Sequence, residues 1–197
     1  MLIICNYRAK TASILQKEAK MIEEIRLSLK DDQYPHTKIT HTRHAVRAVC
    51  FNSDNKICLV HIKAIDQFGK RNYYELPGGG LKNSECHEEA LKRELNEELG
   101  VEGVVGPKLG VVHDFYNLIE QENYSHYYLF KITKIGNQHL ELDERRLIYR
   151  LVYVSIEEAI RLMKEQDEFG VSLLVKRREL PILELISDLI AKNALNL

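Results

Sequence analysis

"GGGLKNSECHEEALKRELNEELGV", residues 78–101, holds six glutamates and, before Arg93, only two basic side chains, Lys82 and Lys92. Such a concentration of like charge behind a run of glycines is either a solvated helix face or a surface that receives a positive ion. With Ser84 as N-cap and Gly100 as the terminating residue, the spacing predicts a helix over 85–99. The capping box is incomplete, since His87 rather than glutamate stands at its third position. At roughly 100° per residue, Leu91, Leu95 and Leu99 form an apolar stripe suited to packing on a sheet. Glu85, Glu89, Lys92 and Asn96 point towards solvent or a neighbouring loop. Glu94, Glu97 and Glu98 share a third sector, with Ala90 leaving space one turn earlier.

Carboxylates spaced at three and four repel one another by a few tenths of a kcal/mol per pair on an exposed helix. A divalent cation in the gap reverses that balance, and hard, oxygen-liganded Mg²⁺ or Mn²⁺ suits carboxylates. A glutamate-rich helix face is ordinarily just solvated. Here, however, "PGGG" lies immediately upstream, so a backbone free of side chains can approach a ligand closely. A glycine turn at a helix N-terminus also receives anionic oxygens readily.

Gly79, Glu85, Arg93, Glu94, Leu95, Glu97, Glu98, Gly100 and Val101 occupy every specified position of the Nudix box, over residues 79–101. The pattern is G, five of any, E, seven of any, R-E-U, any, E-E, any, G-U, with U a bulky aliphatic. The chain therefore resembles the Nudix hydrolases. The resemblance implies an α/β fold, the Nudix-type α/β/α sandwich with a mixed sheet between helices. It implies hydrolysis of a diphosphate linkage in a nucleoside diphosphate joined to another moiety, such as a nucleotide sugar, an ADP-ribose-like compound or a nucleoside triphosphate. It further implies that Glu94, Glu97 and Glu98 hold Mg²⁺ or Mn²⁺, and that Gly79, Glu85, Arg93 and Gly100 are structural. Glu94 or Glu98 is the expected catalytic base, although family members also use a glutamate outside the box. Glu122, beside Glu120 in one loop, and Glu144, beside Glu141 further on, are the candidates for that role. Two alternatives stand beside the hydrolase: a nucleotide-sensing module without turnover, and an isoprenoid diphosphate isomerase on the same fold. An intact acidic trio speaks against a pure sensor.

Working outward, "RHAVRAVCF" and "KICLVHIK" read as strands joined by the turn sequence "NSDN". "RNYYEL" is a further strand before the glycines. "VVGPKLGVVHDFYNLI", "YSHYYLFKI" and "RLIYRLVYVS" follow, with "EQEN" as an exposed loop. Ser155 should cap a helix, with Glu158 closing a capping box. The tail from Val171 is helical by period, and Pro181 either starts its last helix or kinks it. Before residue 40, "MLIIC" suggests a short strand, and Ile14, Leu15, Ala19, Ile22, Ile25 and Leu29 predict an amphipathic helix over 11–29. The domain reading is an N-terminal strand-and-helix extension over 1–40 and a Nudix domain over 41–197.

The substrate pocket should follow the box. Tyr116 and Tyr124 are candidates for stacking a nucleobase, worth roughly 1–3 kcal/mol. Arg47, Lys70 and Arg71 are candidates for phosphate, and Gly79 and Gly80 for close backbone approach. Tyr116 stands where ADP-ribose pyrophosphatases carry a proline and falls just short of the tyrosine of diadenosine polyphosphate hydrolases, so the substrate is left open.

A formal net charge of −1 advertises neither nucleic acid nor membrane as partner, so recognition of phosphate must be local. Cys5, Cys50, Cys58 and Cys86 form no CxxC pair. With no secretory signal and no apolar run long enough for a span, a cytoplasmic setting is expected. The apolar-faced N-terminal helix suggests a homodimer.

Overall fold

The computed structural model describes residues 22–195. Its strands are β1 (Ile25–Leu29), β2 (His41–Phe51), β3 (Ile57–Asp66), β4 (Gly69–Glu75), β5 (Gly78–Gly80), β6 (Val101–Tyr116), β7 (Gln121–Ile135) and β8 (Ile148–Val154). Among the described residues four α-helices accompany them, α1 (His87–Leu99), α2 (Leu142–Leu147), α3 (Ile156–Lys164) and α4 (Gly170–Ala191), with one 3₁₀ turn at Asn117–Ile119. The sheet runs β1-β6-β7-β2-β3-β4, with β5 added to β2 and β8 to β3. β1 is parallel to β6 and β2 is parallel to β7, while the remaining pairs are antiparallel. The sheet is therefore mixed.

β2 positions the site. It meets β3 only at Phe51 and Ile57, beside the Asn52–Asn55 turn, and then diverges. The edge this frees is taken by the glycine strand, with Ala45, Val46 and Arg47 opposite Gly80, Gly79 and Gly78. Gly78, at φ 131°, must be glycine: a Cβ there would lie 2.1 Å from the Val46 carbonyl oxygen.

Side chains alternate across β7, and its two faces meet different helices. Tyr128 accepts or donates a hydrogen bond with His87 Nδ1 of α1 at 2.7 Å. Tyr127, one residue away, reaches Glu179 of α4. Helices thus cover both faces. Leu91, Leu95 and Leu99 are buried, as the apolar stripe requires. Burying three such side chains contributes on the order of 1.5–3 kcal/mol each.

Several expectations need correction. Residues 25–29 are not the end of a helix but strand β1, paired with Gly110–Asp114. "IRLSL" alternates at period two, and Gly110 lets the strand approach, since a Cβ there would lie 2.3 Å from the Ile25 carbonyl oxygen. The rest of that predicted helix up to Met21, and the predicted strand "MLIIC", lie outside the described residues. α1 begins at His87, not Glu85: Ser84 is left-handed at φ 69° and Cys86 is the N-cap. From there Glu89 is the third residue, and its Oε2 accepts the Cys86 N–H at 3.0 Å. Of "EQEN", only Glu120 is a turn residue, at φ 53°, and Asn123 is already buried in β7. Ser155 Oγ does accept the Glu158 N–H, but Glu158 turns its carboxylate to Arg161 instead of closing the box. α4 runs through Pro181 as one helix. Cys50 and Cys58 are buried and free.

Candidate active site

The glycine strand and α1 fit together through their side-chain-free and acidic atoms. The Gly78 N–H donates to Glu98 Oε2 at 2.8 Å. Gly79 leaves room for Glu94, because a Cβ on it would lie 2.3 Å from Glu94 Oε2. The Gly80 carbonyl accepts from Arg93 Nη2 at 3.1 Å. Each of the three glycines is thereby tied to one residue of the helix.

Arg93 organises the centre. Its Nε donates to Glu85 Oε1 at 2.6 Å and its Nη2 to Glu85 Oε2 at 2.8 Å, a bidentate clamp on the loop before the helix. The Lys82 N–H donates to the same carboxylate at 2.9 Å. Hydrogen bonds from Arg93 foremost, then from Lys82, hold the Glu85 carboxyl down at about 2. Nη1 of Arg93 donates to Glu94 Oε1 at 2.7 Å and to Glu97 Oε2 at 2.9 Å. One guanidinium nitrogen thus bridges two of the box carboxylates.

Glu144, from α2, completes a group. One carboxylate oxygen from each of Glu94, Glu97 and Glu144 lies within 4.8 Å of the others. α2 owes its start to the same residue: the Glu141 N–H donates to Glu144 Oε2 at 2.7 Å. Lys82 Nζ sits at the rim, 3.3 Å from Glu141 and 3.9 Å from Glu97. Glu98 is not part of this trio. Its carboxylate is buried against the glycine turn, and burial pushes it up to about 8, opposed by the Gly78 N–H. Burial likewise raises Glu94, against the hydrogen bond from Arg93.

The trio's donor set fits a hard divalent cation. Three carboxylate oxygens converge from two elements, and the positive charge nearest them is a guanidinium that also serves Glu85 and Gly80. Mg²⁺ and Mn²⁺ favour such oxygen ligands and retain water and phosphate in the rest of their shell. A cation at this point also offsets the burial cost that raises Glu94.

The other expected residues are dispersed. Glu122 lies away from the trio, accepting from Thr42 Oγ1 at 2.9 Å and pairing with His113 Nε2 at 2.9 Å. Tyr124 stacks on His113, ring centroids 4.3 Å apart, and on His44 at 5.2 Å. Arg47, expected near phosphate, is enclosed instead: it donates to the Leu76 carbonyl at 2.6 Å and pairs with Glu75 at 3.3 Å and Glu179 at 3.6 Å. Tyr116 accepts from Arg178 Nη1 at 3.1 Å, and Arg178 also pairs with Asp114 and Glu179. These ions lie between the sheet and α4, where Arg47 and Arg178 serve to join the layers. Arg71 pairs with Asp66 at 2.6 Å.

Sequence reading missed Arg43. It lies on β2 four residues before Arg47, on the same face of the strand, and a Cβ on Gly80 would lie 3.7 Å from its Nε and Nη2. The only signal was a pair of basic residues at even spacing in a strand with a buried face.

A family model described as the NUDIX domain matches residues 41–175. A search of curated proteins finds no match. Among solved structures, the ORF135 protein of E. coli is 23% identical, with 77% of this chain and 93% of that chain covered and a TM-score of 0.52. A NUDIX hydrolase from Nitrosomonas europaea is 21% identical over 76% and 89% of the two chains, with a TM-score of 0.55. A MutT protein from Methanosarcina mazei Go1 is 16% identical over 78% and 96%, with a TM-score of 0.52. At these identities the likeness is one of fold.

Proposed function

This chain belongs to the Nudix family and is a Nudix pyrophosphohydrolase; on that premise we propose that it is metal-dependent and cleaves a diphosphate linkage in a nucleoside diphosphate joined to another moiety. The observation that carries the proposal is the convergence of Glu94, Glu97 and Glu144 within 4.8 Å, two from the box helix and one from α2.

In this reading Glu94, Glu97 and Glu144 hold Mg²⁺ or Mn²⁺. When bound, such an ion polarises the phosphate oxygens, neutralises developing charge and lowers the pKa of the attacking water. Arg93 keeps the first two carboxylates aligned and fastens them to the loop through Glu85. Gly79, having no side chain, leaves the Glu94 carboxylate the space that a Cβ would take. Glu98 is a positioning residue: by accepting the Gly78 N–H it fixes the turn. A water beside the trio would pass its proton to Glu144, whose Oε2 is fixed by the Glu141 N–H. Glu122, engaged by His113 and Thr42, has no part in this step.

The test is a panel of nucleoside diphosphate derivatives and nucleoside triphosphates, each incubated with Mg²⁺ or Mn²⁺ and with chelator, the products separated by chromatography. Cleavage of at least one compound between its phosphates, abolished by chelator, is expected. Tight binding of one compound with no turnover of any would replace the hydrolase by a nucleotide sensor.

A further inference from the structure

Arg43 stands out among the cations of the α4 face of the sheet. Arg47 and Arg178 are each matched by carboxylates. Among the described residues, by contrast, no carboxylate or carbonyl lies within hydrogen-bonding or ion-pair distance of the Arg43 guanidinium. The group is partly buried, and burial, then the charges of Arg47 and Arg178, depress its pKa, with Tyr116 and Glu75 acting the other way. A desolvated cation without a partner costs stability. An anion beside it removes that cost.

Its location says which anion. Ala45, the strand partner of Gly80, is two residues along β2. The guanidinium therefore borders the glycine turn, on the side turned away from Glu94. The same cross-strand row continues from Arg43 to Asn123 on β7 and Asp114 on β6. Both are 2% exposed. Asn123 Nδ2 and Asp114 Oδ1 are buried without a hydrogen-bond partner among the described residues. Their other atoms are engaged: Asn123 Oδ1 accepts from Gln121 at 2.6 Å, and Asp114 Oδ2 pairs with Arg178 at 3.3 Å. From the glycine turn outward, the row thus offers a guanidinium, an amide donor and a carboxylate acceptor.

We infer that Arg43 binds a phosphate of the diphosphate substrate from the α4 face of the sheet, with Asn123 and Asp114 receiving a group further along the same molecule that both accepts and donates a hydrogen bond. A nucleobase edge or a ribose hydroxyl has that character. The inference rests on the diphosphate chemistry proposed above. Arginine suits the task because its planar fork matches phosphate oxygens.

The experiment measures the affinity of inorganic pyrophosphate with Mg²⁺ by calorimetry, for the wild type, Arg43→Met and Arg43→Lys, together with thermal melts without ligand. Arg43→Met should bind pyrophosphate at least ten-fold more weakly, and Arg43→Lys should fall between. Without ligand, Arg43→Met should melt at or above the wild-type temperature, since it removes an unpaired cation; a structural arginine would give the reverse. Unchanged pyrophosphate affinity in Arg43→Met overturns the inference while leaving the hydrolase reading intact. A clear fall in melting temperature overturns it too, by showing that the guanidinium serves the fold. If the wild type neither binds pyrophosphate nor cleaves any compound of the panel, the hydrolase reading fails and this inference falls with it.

Discussion

Gly79 and Glu94 share one space: a Cβ built on Gly79 would lie 2.3 Å from Glu94 Oε2 and 2.6 Å from its carboxyl carbon. Because the carboxylate is the movable partner, Gly79→Ala should fold and displace Glu94. Misplacement of a reacting group by about 1 Å costs on the order of 100-fold in rate. Steady-state kinetics should show a loss of that order, with a stability cost of about 1–3 kcal/mol from overpacking. A wild-type rate in this variant would mean that the position of Glu94 is immaterial.

The two carboxylates outside the box separate in a direct comparison. Glu144→Gln should lower the rate by about 10- to 100-fold and weaken Mn²⁺ binding, as loss of a metal-supporting group does. Glu122→Gln should stay within about two-fold of wild type, because its partners are His113 and Thr42. Equal small effects in both would return the base to Glu94 or Glu98.

Arg47 and Arg43, four residues apart on one strand face, should behave oppositely in the unliganded protein. Arg47→Met removes one of the two cations on Glu75 and Glu179, leaving both carboxylates to Arg178 alone. Breaking such a pair costs about 3–5 kcal/mol, readable as a lowered urea midpoint. A midpoint unchanged by Arg47→Met would remove Arg47 from the joint between sheet and α4.

Much of this was legible in advance, for a physical reason. The box residues are spaced on one helix, so their sequence separation fixes their geometry, and the stripe of Leu91, Leu95 and Leu99 is buried as its period requires. What the sequence could not carry is long-range pairing. Arg47 finds Glu179 132 positions later in the chain through the docking of α4. Glu144 reaches Glu94 only because α2 returns to the edge of the box helix. The wheel grouped Glu98 with Glu94 and Glu97, yet a turn N–H claims it. Residues 25–29 fit period two and period four alike, so their sequence does not separate strand from helix.

His126 gives the fold a pH dependence of definite sign. Burial first, then His87, Lys108 and His44, push its pKa from 6.5 down to about 4. The unfolded chain therefore binds this proton more readily, so stability is fully present above about pH 6.5 and declines as pH falls towards 4. Discounted for partial exposure, the effect is about 1–2 kcal/mol. Urea midpoints for the wild type and His126→Gln, at pH 7.5 and 4.5, should show a smaller drop in the variant. Identical drops would mean that His126 is protonated in the fold as easily as outside it.

That the carboxylate trio holds the ion on which cleavage depends is open to direct measurement. It is tested by the initial rate of diphosphate cleavage as a function of Mg²⁺, for the wild type and Glu97→Gln, on whichever compound of the panel turns over fastest. Glu97 is partly exposed and its main partner is Arg93, so the variant should fold. A rate at least about 100-fold lower is expected, with more Mg²⁺ needed to reach half of it. A near-normal rate in Glu97→Gln at the wild-type Mg²⁺ requirement would contradict it.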